Sequence, residues 1–230
     1  NRLRSSAFVL YENSNSLFTA RNYVFQGLRV EDTAELTPYV LPIMDYRRDV
    51  DPPGLGGRGL INLNFASLQR TSGVDTRRLT ASALWEREWF TRGGHRLGVF
   101  AELRGDGFFY SDLDEGNEVT QGAPLSAGAV ADPTSFDVRF APSVGVEWSY
   151  PLVNRIEGVR IFLEPHVQLV ASPSGRNDVS ILNEDSQSIE FDYASLFDYN
   201  KSPGFDAFED GQRMNAGLSV GADFDNGIKI

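Results

Sequence analysis

Residues 136–150 read FDVRFAPSVGVEWSY, and their character changes at every step. Val138, Phe140, Pro142, Val144, Val146, Trp148 and Tyr150 hold the even positions; Asp137, Arg139, Ala141, Ser143, Gly145, Glu147 and Ser149 lie between them. Side chains on an extended chain point to alternate faces, so this stretch is a strand with one apolar and one polar or small face. Residues 159–169 repeat the pattern, with Val159, Ile161, Leu163, Pro165, Val167 and Leu169 on one side. Residues 213–224 repeat it again, with Met214, Ala216, Leu218, Val220, Ala222 and Phe224 opposite Arg213, Asn215, Gly217, Ser219, Gly221 and Asp223.

Weaker alternation runs through 77–90 (Leu79, Ala81, Ala83, Trp85, Trp89) and 95–106 (Leu97, Val99, Ala101, Leu103), and through 4–11, 23–30, 36–46 and 58–69. No stretch carries an apolar stripe of helical period. The chain therefore reads as all-β, with nine long strands and a tenth starting at Ile228. Length separates the β classes. Soluble strands have a mode of about 5–6 residues, whereas a tilted strand crossing a bilayer needs about 9–11. Aromatic residues gather near strand ends: Trp148 with Tyr150, Trp89 with Phe90, and Phe108 with Phe109 and Tyr110. Such groups resemble interfacial girdles, and the polar faces suit a wet lumen. The expected fold is antiparallel transmembrane β-barrel strands, a partial arc of a large outer-membrane barrel, with residues 1–230 forming part of one barrel domain. Alternation alone leaves a soluble β-sandwich open, because such a sheet also has one apolar face.

Connections support the barrel. Residues 91–94 and 151–157 read as short links, and 225–227 as a tight Asn-Gly hairpin turn. Residues 111–134 and 171–211 read as long loops, with 189–194 an extended piece inside the second. Outer-membrane barrels alternate short and long connections in this way. A barrel must close, since an open edge cannot be satisfied in lipid. Nine strands and a stub therefore read as an interior piece of a larger protein, and the Asn1-Arg2 start, without a leader pattern, reads as internal or processed.

Composition removes other classes. The chain of 230 residues carries 21 Lys+Arg and 32 Asp+Glu, a net charge of −11. That balance repels a polyanion, and no Lys/Arg run exceeds two, so nucleic acid is not an expected partner. Without cysteine there is no disulfide, thiolate metal site or Cys nucleophile. His95 and His166 stand on different strands without a partner at ligand spacing, and read as interface or lumen residues. The acidic stretches 112–116 and 223–227 place glycine at position five where a calcium loop needs it at six. Glu184 and Asp185 are adjacent, so an extended chain points them apart and they cannot flank one bond. Leu55, Gly56 and Gly57 read as a turn, not a phosphate loop, since no helix follows. No catalytic residue, cofactor or metal is expected.

The order of blocks near the end is more specific. Asn183-Glu184-Asp185-Ser186 leads to Ile189-Glu190-Phe191-Asp192. Ser195-Leu196-Phe197, Gly204-Phe205-Asp206 and the run from Gly211 through Arg213 to Leu218 follow. This succession resembles the barrel domain of the LPS-assembly outer-membrane protein family, LptD. Upstream, Leu41-Pro42-Ile43, Tyr46, Leu55-Gly56-Gly57 and Arg70, Gly73, Asp75 and Arg78 are similar to the family's earlier strands, so the likeness spans roughly residues 20–225. One position departs: the family's Asp-Arg pair reads Asp206-Ala207 here.

The resemblance implies an outer-membrane barrel that inserts lipopolysaccharide into the outer leaflet without making a chemical bond. It also implies a periplasmic jellyroll, a lateral gate and domain-linking cysteines elsewhere in such proteins, all outside this stretch. Its implied partners are lipopolysaccharide, a plug lipoprotein like LptE, periplasmic bridge proteins and membrane lipids. The signature positions it marks are Asn183, Asp185, Ser186, Leu196, Phe197, Gly204, Asp206, Gly211 and Arg213, expected to stabilise a loop lying over or in the lumen. Two other classes share the strand pattern: a porin or receptor barrel with a constricting loop, and a soluble all-β binding or adhesion module.

Overall fold

The computed structural model describes residues 2–27, 37–111, 134–175, 177, 181–185 and 195–225. They form one antiparallel sheet. Its strands are β1 (Arg2–Glu12), β2 (Ser16–Gly27), β3 (Tyr39–Val50), β4 (Arg58–Gln69), β5 (Asp75–Phe90), β6 (Arg96–Ser111), β7 (Thr134–Ser149), β8 (Leu152–Ile156), β9 (Val159–Ala171) and β10 (Gln212–Phe224). Each pairs with its neighbour in sequence, except that β7 meets β9 directly and β8 pairs with the far half of β9. Residues 151–157, expected as a link, are therefore mostly strand: β8 continues β7 past Tyr150 and Pro151, and the hairpin turns at 157–158. Proline at 151 has no N–H for the ladder, which accounts for the break between the two segments. β2 also begins at Ser16, well before the expected 23–30, because 13–15 make a tight turn back onto β1. Strand lengths of 16 residues in β5, β6 and β7 exceed what a bilayer crossing needs.

The two faces settle which β class this is. On β7, Val138 is 72% exposed and Phe140 55%, while Arg139 is 4%, Ala141 0% and Ser143 2% exposed. The same inversion holds on β10, where Met214, Leu218 and Val220 are exposed and Asn215 is buried. On β5, Thr76, Arg78 and Thr80 are buried while Leu79 is bare. In a soluble sheet the apolar face would be covered. Here the polar face is covered and the apolar face is bare, the arrangement of a membrane barrel wall. We call these the inner and outer faces.

Connections sort by end. Segments 28–38, 70–74, 112–133 and 172–211 leave one end of the sheet; 13–15, 51–57, 91–95 and 157–158 close the other. The inner face near the long-loop end holds a small apolar core of Val74, Phe108, Tyr110 and Leu182. That corrects one expectation: of the aromatic trio, only Phe109 faces outward, its ring tilted against that of Phe136 at 4.3 Å, while Phe108 and Tyr110 turn inward. The Tyr110 hydroxyl accepts a hydrogen bond from the Leu182 N–H at 3.1 Å, a polar handle that a bilayer-facing tyrosine at this depth would lack. Residues 189–194 and 226–230, including the extended piece and most of the expected Asn-Gly turn, lie outside the described residues, as does the stretch 112–116.

The face assignment is testable. Leu103→Arg, mid-strand on the outer face of β6, is expected to cost about 2–4 kcal/mol in the bilayer. It should abolish the heat-modifiable, folded band of the full-length protein on SDS gels. Asn62→Arg, mid-strand on the inner face of β4, should leave that band intact.

Candidate functional site

The inner face carries a continuous cross-strand row. Register places Thr19 opposite Asp45, Asp45 opposite Asn64, Asn64 opposite Thr80, Thr80 opposite Asp106 and Asp106 opposite Arg139, crossing β2 to β7. Directly opposed side chains lie close enough to bond. Thr19 Oγ1 donates to Asp45 at 3.3 Å, Asn64 Nδ2 to Asp45 at 2.7 Å, Thr80 Oγ1 to Asp106 at 2.6 Å and Arg139 Nε to Asp106 at 2.7 Å. Arg104, two residues before Asp106 on the same face, adds Nε at 3.0 Å. Asp106 is fully buried and accepts from two guanidiniums and one hydroxyl. A buried carboxylate without such partners would carry a large desolvation cost.

Across this row lies the described part of segment 172–211. Asp185 and Asp206 hold it by reciprocal capping. The Asp206 carboxylate accepts from the N–H groups of Glu184 (2.7 Å) and Asp185 (3.0 Å). The Asp185 carboxylate accepts from the N–H groups of Phe205 and Asp206, both at 3.0 Å. Arg78 donates from Nη1 to both carboxylates and from Nη2 to Asn64 at 3.1 Å. Burial lifts the Asp206 carboxyl, with the neighbouring Asp185 adding to the rise, while Arg78 and the Glu184 amide pull in the opposite direction. Gly204 sits at φ +72, and a Cβ there would lie 2.4 Å from the Asp185 carboxylate, so only glycine fits.

The arginines also hold backbone. Arg104 and Arg139 both donate to the Phe205 carbonyl, and Arg139 reaches the Asp206 carbonyl at 2.6 Å. The Phe205 ring lies over Arg78 and Arg104 at 5.1 and 5.7 Å. Asn177 grips Phe208 at both backbone atoms, N–H at 2.9 Å and carbonyl at 2.6 Å. Arg70 forms a forked pair with Glu184, both bonds 2.8 Å. The adjacent carboxylates of Glu184 and Asp185 thus serve different arginines.

Deeper along the wall a second row spans β7, β9 and β10. Glu147 opposes Gln168, and Gln168 opposes Asn215. Gln168 donates to Glu147 and to the Phe197 carbonyl, both at 2.7 Å, and accepts from Asn215 at 2.6 Å. The Phe197 ring stacks on His166 at 3.7 Å. A Cβ at Gly217 would lie 3.0 Å from that ring, so the missing side chain makes its seat. Tyr199 stacks on Phe100 at 3.9 Å and donates its hydroxyl to Glu86 at 2.8 Å. Burial raises the Tyr199 pKa, which keeps it a donor. Glu86 lies 11 positions along β5 from Asp75, about 36 Å at ~3.3 Å per residue, so the segment reaches far down the inner face.

Of the signature positions, Asp185, Gly204 and Asp206 meet in the reciprocal cap. Leu196 and Phe197 lie together against Gly217, and Arg213 donates to the carbonyls of Tyr199 and Glu209. Asn183 is exposed beside the cap, and Gly211, at φ +83, precedes β10 and accepts the Ser172 N–H at 2.9 Å. Ser186 lies outside the described residues. Arg70, Arg78, Arg104, Asp106, Arg139 and Asn177 were not singled out for the site in the sequence. For Arg104, Asp106 and Arg139 a charge at an inward strand position was the signal; Arg70 and Arg78 stood among the positions similar to the family's earlier strands, and Asn177, outside any strand, had none. Elsewhere, His95 stacks on Tyr150 at 4.3 Å and accepts from Trp148, and Gly56 and Leu55 accept from Trp85 and Arg87.

Removing the hub should be severe. Asp106→Ala leaves Arg104 and Arg139 buried without their shared counter-charge, expected to cost about 3–5 kcal/mol, read as a lowered urea midpoint of the folded barrel. Gly217→Val should unseat Phe197 while leaving the barrel folded, read as new protease cleavage within 195–211.

A search of the curated proteins gives no match. A family model does match: that of LptD, LPS transport system D, covers residues 1–227, nearly the whole chain. The family is one of outer-membrane transport components, and its barrel architecture agrees with the inverted sheet described above. On that match and that fold, the chain belongs to the LptD family of lipopolysaccharide transport proteins.

Proposed function

We propose that this chain is a wall segment of an outer-membrane barrel that inserts lipopolysaccharide into the outer leaflet, acting by transport and not by bond chemistry. The observation that carries this reading is the pairing of a family match over residues 1–227 with a sheet whose covered face is charged and whose bare face is apolar. An apolar outer face suits acyl chains of the bilayer, and a hydrogen-bonding inner face suits a sugar-rich head group. Residues 1–230 belong to a single barrel domain. The signature positions act by fixing segment 172–211 against the wall. A plug lipoprotein of the LptE kind in the lumen and periplasmic bridge proteins upstream complete the machine. Short connections face the periplasm in such barrels and long ones the exterior; on that rule the end that carries 112–133 and 172–211, and with them the short 70–74, lies outside, and the end that carries 13–15, 51–57, 91–95 and 157–158 lies within.

Two measurements test this. Depleting the full-length protein should reduce newly made lipopolysaccharide at the cell surface; unchanged surface lipopolysaccharide would sink the transport reading. These 230 residues hold no cysteine, so once any cysteine elsewhere in the full-length protein is replaced, single cysteines report orientation cleanly. Ser174→Cys should react with a membrane-impermeant maleimide in intact cells, and Ser14→Cys only after the outer membrane is permeabilised. The opposite pattern would reverse the orientation.

A further inference from the structure

Three guanidiniums from three consecutive strands, Arg78 on β5, Arg104 on β6 and Arg139 on β7, converge on one dipeptide. Phe205 and Asp206 present them with two backbone carbonyl oxygens and one carboxylate oxygen. Asp185 adds a fourth oxygen, 2.8 Å from Arg78. Among the described residues, the one strand carboxylate at ion-pair distance from these arginines is Asp106, which pairs with Arg104 and Arg139, whereas Arg78 pairs with Asp185 and Asp206 of the segment. Glu102 lies further along the same face of β6, beside Arg104. Three buried guanidiniums against one buried carboxylate leave an excess of buried positive charge on the wall at this point, and Asp185 and Asp206 of the segment neutralise it. Leaving such charge uncovered would be costly, so whatever displaces the segment must bring its own negative charge. Planar guanidinium forks around a compact set of oxygens are the geometry that binds phosphate.

We propose that Arg78, Arg104 and Arg139 form a phosphate-binding site on the inner face, for the phosphorylated sugar head group of a glycolipid. The Phe205–Asp206 dipeptide occupies this site in its absence. Segment and phosphate use the same donors, so their occupancy is mutually exclusive. The segment is then a competitor that keeps the arginines neutralised until cargo arrives. This rests on the transport reading above, and names the chemistry the inner face would recognise.

The test uses the full-length protein in lipid nanodiscs, with nitroxide labels on Ser72→Cys and Pro203→Cys, both exposed and outside the site. Electron–electron resonance reads their separation. Bis-phosphorylated lipid A should lengthen it in a saturable manner, and the same lipid stripped of phosphate should not. Asp206→Asn weakens the segment's hold and should lower the half-maximal lipid concentration about tenfold. Adding Arg78→Gln in that background should raise it again by at least as much. Both variants are scored only as folded, heat-modifiable protein, and Asp206→Asn keeps an oxygen for the Glu184 and Asp185 amides. A separation that stays fixed, or that responds equally to dephosphorylated lipid, would overturn the proposal. An equal response to inorganic pyrophosphate would overturn its assignment to a lipid. If the labels stay still while depletion still removes surface lipopolysaccharide, the site fails and the transport reading stands. If depletion leaves surface lipopolysaccharide unchanged, the transport reading itself fails.

Discussion

Asp106 sits between Arg104 and Arg139 with no solvent around its carboxylate, and Thr80 donates to it from the next strand. A buried ion is tolerable only when its counter-charges sit at hydrogen-bond distance. That condition fixes the register of β5, β6 and β7 together, because a slip of one residue would send every side chain of a strand to the opposite face. It also leaves two guanidiniums with hydrogen-bonding capacity still to fill, and the Phe205 and Asp206 carbonyls fill it. The position of the Phe205–Asp206 turn depends on this requirement. A wall with apolar residues at 104 and 139 would leave the Phe205 and Asp206 carbonyls without these donors.

Two kinds of contact then divide the work of seating the segment. Near the long-loop end the contacts are ionic and directional: Arg70 with Glu184, Arg78 with both aspartates, and the reciprocal capping of amides by Asp185 and Asp206. Further down they are aromatic and depend on absent side chains. Phe197 lies over Gly217. Phe100 lies over Gly145, where a Cβ would come within 2.1 Å of its ring, and Tyr199 stacks on Phe100 in turn. Small residues on an inner strand face are thus docking positions for rings. In a barrel of this kind they give the segment a fixed depth, since a ring can seat only where a side chain is missing.

Much of the wall was legible in residue order. Period-two alternation placed the long strands, and their length pointed to a bilayer. Boundaries were less legible where proline or a tight turn decided them: β8 resumes after Pro151, and β2 starts at Ser16 because 13–15 fold back at once. Of the aromatic trio at 108–110, the middle residue alone faces out, which the alternation of β6 dictates once Leu103 is known to be outward. Within the candidate site, Asp185, Gly204 and Asp206 stood out as blocks typical of capped loops. Their pairing with Arg78 did not, because Arg78, although among the positions similar to the family's earlier strands, lies more than a hundred residues away in sequence from Asp206 and carries no local sign of what it meets.

By itself the sequence determined the architecture: an all-β chain of long alternating strands, with an apolar face and a polar face, connected by loops of unequal length. Such features follow from local chemistry, since the period of side-chain direction and the turn preferences of Gly, Pro and Asn act within a few residues. Only the tertiary structure decided which face is covered, and by what. Coverage depends on long-range charge matching. The wall's arginines and the segment's aspartates meet through strand register and loop reach, and neither quantity is written in any local stretch of residues.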